Sequence, residues 1–492
     1  MDALALHHHF YIDGQWVEPT GGGEPFEVVN PATGKPAGTL RLGGAADVER
    51  AVAAARRAFD GYSRTPLPQR KDLLARIGAV YERRLDELAA AITEEMGAPL
   101  ALLSRAAQAP LGLWHLQTAL GAAAHYPFEK PQGTTLIVRE PVGVCALITP
   151  WNWPMGQIVC KIAPALLVGC TVVLKPSEYA PFSAQILAEI LDEAGVPAGV
   201  FNLIHGDGAQ VGPLLAAHPQ VDMVSLTGST RSGASVAHHA ADTIKRVSLE
   251  LGGKSANIIL DDAPLEEAVT AGVMAMMMNT GQSCNAPSRM LLPAAKLAEA
   301  ERIAAAAVQR LVVGDPLNPA TTTGPIANRR QFQRVQALIA QGISEGATVV
   351  VGGLGLPEGV SEGFFVRPTV FSGAHQGMTI AREEIFGPVL TLIPYANEEE
   401  AIAIANDSVY GLSGYVWGGT VARAAAVAQR LRTGMVHLNG AGVDPASPFG
   451  GYKQSGNGRE WGAAGLDEFV EIKAIMGAVS QPVALITPHA KN

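Results

Sequence analysis

The chain has 492 residues, of which 48% are hydrophobic and 16% charged, well below the ~25% charged fraction of ordinary soluble proteins. That length predicts two or three domains and the composition excludes a long disordered protein. The formal charge of −9 leaves no basic footprint, so neither nucleic acid nor an anionic membrane is an expected partner. The four cysteines, Cys145, Cys160, Cys170 and Cys284, are too few for a disulfide framework and make no CxxC or Cys/His zinc spacing. They point to a reducing, cytoplasmic compartment, with no metal expected.

The opening MDALALHHHFYIDGQW lacks the basic and apolar regions of a signal peptide. His7, His8 and His9 have no spaced fourth ligand and read as a solvated cluster. Amphipathic spacing predicts helices over 47–62 and 69–96, the second stopped by Gly97. The uncharged stretch 141–160 is interrupted by Pro141, Pro150 and Pro154 and is not a membrane span. From there the rhythm changes. The runs VGVCALI (142–148), TVVLK (171–175), VFNLI (200–204), MVSLT (223–227) and RVSLEL (246–251) alternate with helix-like segments, which predicts parallel strands in a doubly wound α/β domain. A second alternation follows, with ANIIL (256–260), a Met-rich helix through Asn279 whose Met276, Met277 and Met278 read as core, SRMLLP (288–293) and a helix over 294–311. Residues 314–329, rich in Pro, Thr and Asn, read as a long loop.

Ligands of an open α/β sheet bind beyond the carboxyl ends of its strands. TPWNWP (149–154), KPSE (175–178), HGDG (205–208), TGST (227–230) and ELGGK (250–254) stand at those ends. TGSTRSG places Gly228, Ser229 and Thr230 at a strand-to-helix turn, as a phosphate site or an ordinary helix cap, and it is not GxGxxG. Lys175 and Glu178 have the spacing to grip vicinal ribose hydroxyls, or to form a surface ion pair. Cys145, Cys160 and Cys170 read as small buried hydrophobes, whereas Cys284 lies between Ser283 and Asn285 in a polar turn suited to a reactive thiolate. Glu250 is a candidate base with a raised pKa, or a paired structural glutamate. Asn152 offers an amide N–H₂ for an oxyanion, or is a turn asparagine.

Taken together and in this order, TPWNWP, KPSE, TGST, LELGGK, NTGQSC, EEIFGPV (383–389) and PFGGYKQSG (448–456) resemble the aldehyde dehydrogenase superfamily. The resemblance runs from YIDGQW (11–16) and NPATG (30–34) to EFVEIKAIM (468–476). It implies a Rossmann-type NAD-binding domain over 1–121 and 141–251 and an α/β catalytic domain over 252–464. A small β oligomerisation element over 122–140 and 465–492 would consist of a hairpin in FEKPQGTTLIVRE and a strand in 469–476. A homo-oligomer, dimer or tetramer, is implied. Oxidation of an aldehyde to the acid with NAD would proceed through a thiohemiacetal and a thioester on Cys284. Asn152 and the Cys284 N–H would hold the oxyanion, Glu250 would activate water, and Lys161 would lie on the substrate side of the cofactor site.

The implied cofactor contacts are Thr149, Pro150, Trp151, Lys175, Ser177, Glu178, Gly208, Thr227, Gly228, Ser229, Leu251, Gly252, Glu384 and Phe386. Glu178 favours NAD over NADP by repelling a 2′-phosphate. Gln157, Cys160, Asn285 and Val443 fall at substrate positions. Three of them depart from the family pattern. Asn285 follows the cysteine where a small, β-branched or second cysteine residue is common, Gln157 replaces an apolar or aromatic residue, and Cys160 stands where a tryptophan often lines the tunnel. A wider, more polar passage is therefore expected, favouring bulky or polar-ended aldehydes. Three rivals are a coenzyme-A-acylating relative, which would lack the base that Glu250 supplies, a non-catalytic relative, which would have lost one of Cys284, Glu250 and Asn152, and a cysteine hydrolase without redox chemistry, which would have no use for a nucleotide site.

Overall fold

Five of the predicted runs, Val144–Ile148, Thr171–Lys175, Phe201–Leu203, Met223–Thr227 and Arg246–Glu250, lie side by side as parallel strands. Across the sheet, their order is fifth, fourth, first, second, third. The winding therefore reverses between the first strand and the fourth, and a crevice opens there at the carboxyl ends. Successive residues of Val144–Ile148 explain why the run is continuously apolar: Cys145 and Leu147 enter one core, and Val144, Ala146 and Ile148 the other. Antiparallel edges formed by Phe10–Ile12 with Gln15–Val17, and by Gly456–Asn457, complete an eight-stranded sheet. The computed structural model describes residues 9–20 and 23–479. His7 and His8, most of the opening read for a signal peptide, and the tail of the 465–492 segment lie outside the described residues.

The helix predicted over 47–62 is Ala45–Tyr62. That over 69–96 divides into Leu67–Arg83 and Leu85–Met96, because Arg84 leaves the helical region at φ −107°. Its guanidinium is held by Glu87 and Glu189 at 2.7 Å each. Asp86 and Glu87 then begin the second helix, where acidic groups suit the dipole. The apolar period runs unbroken across the joint and no Gly or Pro marks it. Gly97 stops the second helix at φ 77°, where an added Cβ would also lie 2.3 Å from Pro325.

The second sheet has seven strands, with Ala256–Ile259 and Arg289–Pro293 central and Val389–Tyr395 and Ser413–Trp417 flanking them in parallel. The Met-rich helix is Leu265–Met277 followed by a 3-10 turn, and Met276 and Met277 are core while Met278 is 50% exposed. A separate antiparallel sheet joins Glu129–Gln132, Thr135–Pro141 and Val470–Ile475.

Candidate active site

Register between Met223–Thr227 and Val144–Ile148 pairs Leu226 with Ile148, so Thr227 and Thr149 emerge together at the crevice. Both hydroxyls are buried and have no hydrogen-bond partner among the described residues, an arrangement that waits for a polar ligand. At the neighbouring strand end, the Lys175 Nζ lies 3.2 Å from Glu178, with Gly208 close beside that ammonium. The Ser177 hydroxyl accepts from the Tyr179 N–H. An added Cβ at Gly228 would meet nothing nearer than 3.8 Å, leaving the turn open. Ser229 caps the helix Thr230–Ala240, accepting from the Ser232 N–H at 3.2 Å, so the helix-cap reading holds for its side chain in this state. Leu251 fills the space at Gly233, where a Cβ would come within 2.6 Å of it. Orphaned hydroxyls, an open glycine turn and a paired Lys and Glu at one switch point fit a dinucleotide.

Glu384 closes the crevice from the second sheet. Its carboxylate accepts from the Gly253 N–H at 3.1 Å, and a Cβ at Gly252 would sit 2.2 Å from it, which accounts for the first glycine of the GG pair. Burial raises the Glu384 pKa to about 7 against the pull of the Gly253 N–H and Lys254. Phe386, at φ 56°, meets the Trp151 ring edge-on at 5.4 Å beside the half-buried Pro150.

Cys284 is presented by a left-handed run, Asn279 (φ 52°), Thr280 (φ 57°) and Gly281 (φ 70°), a strained backbone of the sort that concentrates at functional sites. The run is fixed by amides. Asn279 Nδ2 donates to the Asn152 carbonyl at 2.9 Å, Gln108 Nε2 donates to Asn279 Oδ1 at 3.1 Å, and Gln282 Oε1 accepts from the Ala327 N–H. Asn152 Nδ2 donates one hydrogen to the Gln282 carbonyl at 3.0 Å, and Trp153 Nε1 donates to Ser283 Oγ at 2.8 Å, so the TPWNWP and NTGQSC loops are tied together. A Cβ at Gly253 would lie 2.5 Å from the Cys284 carbonyl, which requires the second glycine.

Cys284 is partly exposed, as its polar turn predicts, and burial, then the charges of Glu384, Glu250 and Glu460, push its pKa up.

Both Glu250 carboxylate oxygens are buried with no partner among the described residues. Burial, reinforced by Glu460 and opposed by Lys161 and Arg459, raises its pKa well above the ordinary carboxylate value. Lys161 is fully buried, ion-paired with Glu460 and 3.1 Å from Ser225 Oγ. Burial disfavours its charge most, but Glu460, Cys160 and Glu250 together outweigh that and the pKa is raised. Sequence reasoning missed Glu460. It stands in NGREW just beyond PFGGYKQSG, where only its position between Arg459 and Trp461 could have drawn notice.

A cavity of about 430 Å³ reaches Cys284, with Gln157, Asn285 and Val443 among its lining residues. Cys160 is not among them. It is 4% exposed and its thiol donates to Glu460 Oε2 at 3.3 Å, so Glu460 forms the wall and covers it. The expectation that Cys160 widens the passage is thereby corrected: the indoles of Trp114, Trp153, Trp417 and Trp461, with Phe449 and Tyr415, supply the wall from distant segments.

The family model for the aldehyde dehydrogenase family matches residues 16–475. A 3-succinoylsemialdehyde-pyridine dehydrogenase from a Pseudomonas species is 61% identical, covering 96% of this chain and 98% of that protein. A cysteine-to-alanine mutant of aldehyde dehydrogenase C from Pseudomonas syringae, crystallised with NAD+ and octanal, superposes with a TM-score of 0.95 at 53% identity over 96% of this chain and 97% of that one. A Mycobacterium tuberculosis aldehyde dehydrogenase complexed with NAD+ gives 0.92 at 42% identity, over 95% and 98%. With the thiol, the amide and the buried carboxylate gathered between the two sheets, this agreement along the whole chain means that the protein belongs to the aldehyde dehydrogenase family.

Proposed function

We propose that Cys284, Asn152 and Glu250 oxidise an aromatic or medium-chain semialdehyde to its acid with NAD. The carrying observation is that the strained turn presents Cys284 to an aromatic cavity, within the electrostatic reach of the buried, unpartnered Glu250 carboxylate. Glu250 takes the thiol proton as Cys284 sulfur bonds to the carbonyl carbon, and the oxyanion formed is held by the free hydrogen of the Asn152 amide and the Cys284 N–H. NAD, when bound, supplies the acceptor for the hydride that leaves that carbon. Glu250 releases that proton to solvent and then takes one from the water that adds to the acyl carbon; as the C–S bond breaks and the acid leaves, that proton passes to the departing Cys284 thiolate. Lys161 and Glu460 stand behind Glu250 as positioning residues that set its charge. Lys175 and Glu178 would hold the adenosine ribose, Glu384 the other ribose, and Thr149, Thr227, Gly228 and Ser229 the phosphates.

The aromatic lining and the name of the pyridine-semialdehyde relative support a flat substrate; the octanal complex supports a chain of that length. The partition into a nucleotide domain (1–121 and 141–251), a catalytic domain (252–464) and an oligomerisation element is supported by the separate eight-, seven- and three-stranded sheets. Exposed Ile472 and Ile475 on the open edge strand, with Met476 just beyond it, support assembly of copies into a dimer or tetramer. Four free cysteines support a reducing cytoplasm. The test is reduced-nicotinamide absorbance with a panel of aldehydes, with and without coenzyme A. NAD reduction without coenzyme A supports the hydrolytic route, dependence on coenzyme A favours the acylating rival, and no reduction with any aldehyde overturns the reading.

A further inference from the structure

Two histidines interrupt the aromatic wall of the cavity, and neither has a role in the chemistry at Cys284. His437 is 9% exposed, stacked on Tyr415 at 4.6 Å and 12°, and Tyr415 in turn donates to the Asn285 carbonyl at 2.9 Å. Its Nδ1 is 3.0 Å from the Ala441 carbonyl. A carbonyl only accepts, so Nδ1 carries the hydrogen and Nε2 of the neutral ring is a bare acceptor. His115, on the helix Ala109–Ala123, is 4% exposed and lies 5.1 Å from the Trp461 ring on the other wall. Burial drives its pKa down to about 3 and keeps it neutral. Burial also lowers that of His437. The Nε2 atoms of both rings are buried with no partner among the described residues, and both residues line the cavity.

A buried polar atom left unpaired forfeits the hydrogen bond it would make in water. A hydrocarbon occupant leaves both nitrogens in that state, whereas one carrying a matching heteroatom relieves it. We infer that His115 and His437 select aldehydes by a heteroatom on a flat distal body, His115 donating its N–H to an acceptor such as a ring nitrogen, and His437 Nε2 accepting from a hydroxyl or N–H. This assignment rests on aldehyde oxidation at Cys284 and names the substrate feature that the site reads.

Three matched probes test it: a pyridyl keto-butanal, its phenyl isostere and its hydroxyphenyl analogue. Each is assayed for kcat/KM, and the unreactive amide of each for binding by quenching of the cavity tryptophans. The wild-type protein should prefer the pyridyl and hydroxyphenyl compounds over the phenyl one by about tenfold or more in both readouts. His115→Phe should erase the pyridyl-to-phenyl ratio and spare the hydroxyphenyl-to-phenyl ratio; His437→Phe should do the reverse. Wild-type ratios near one overturn the inference without any variant. A ratio lost equally in both variants, or kept in both, overturns it as well, and loss in only one variant overturns the paired assignment. Absence of oxidation with all three aldehydes would instead defeat the reading of the reaction, while amide binding would still report on the two imidazoles.

Discussion

The nucleotide crevice and the substrate cavity meet at Cys284 but are built in opposite ways. The crevice is assembled from strand ends, each contributing a few consecutive residues: Thr149 and Trp151 from one, Lys175 and Glu178 from the next, Thr227 and Gly228 from a third. The cavity is assembled from single aromatic side chains, Trp114, Trp153, Tyr415, Phe449 and Trp461, drawn from remote stretches of chain. Backbone direction fixes the first and side-chain packing the second. Reaction chemistry is therefore carried by short motifs, and substrate choice by a surface with no motif of its own.

Changes on the shared boundary should have the largest effects. Cys284→Ala should lower kcat by several powers of ten while leaving NAD affinity near wild type, since the thiol is needed for the covalent step. Residual turnover above about a hundredth of wild type would contradict a covalent route. Glu250→Gln should slow steady turnover by roughly a hundredfold or more. A burst of reduced cofactor with acyl-enzyme seen by mass spectrometry would place its main role in hydrolysis, and the absence of both would place it in thiol deprotonation.

Lys161→Met separates structure from chemistry beneath that boundary. It leaves Glu460 buried without its cation and should destabilise the protein by about 3–5 kcal/mol in denaturant titration, with Glu460→Gln added to the same chain recovering part of the loss. Cys160→Trp should displace Glu460 and slow all aldehydes alike; selective loss of large substrates would restore Cys160 to the cavity wall.

Smaller effects belong to the crevice. Glu178→Ala should narrow the preference for NAD over NADP by about tenfold in kcat/KM, because it removes the repulsion of a 2′-phosphate. Glu384, with its pKa raised to about 7, ionises as pH rises through that value and becomes purely an acceptor for ribose hydroxyls. NAD affinity measured by fluorescence should rise a few-fold through pH 7 and then level, and Glu384→Gln should flatten the profile. For stability the sign is opposite. A carboxyl raised from 4.5 to about 7 contributes fully below the lower value and loses that contribution as pH rises through the upper one.

The amino-acid sequence by itself determined the five-stranded parallel core, the strand ends that carry ligands, Cys284 as the exceptional cysteine and the GG pair after Glu250. The strands are legible because a run buried on both faces must be continuously apolar, and the GG pair is legible as a motif although its reason, the approach of Glu384 and the Cys284 carbonyl, is tertiary. Only the tertiary structure decided the break at Arg84, whose guanidinium is held by Glu87 and by the distant Glu189, and the seating of Lys161 on Glu460, 299 residues away. It also decided that Glu460 covers Cys160 and that indoles form the wall instead. Charge pairing and aromatic packing depend on which side chains meet, and that is set by how the sheets and helices pack.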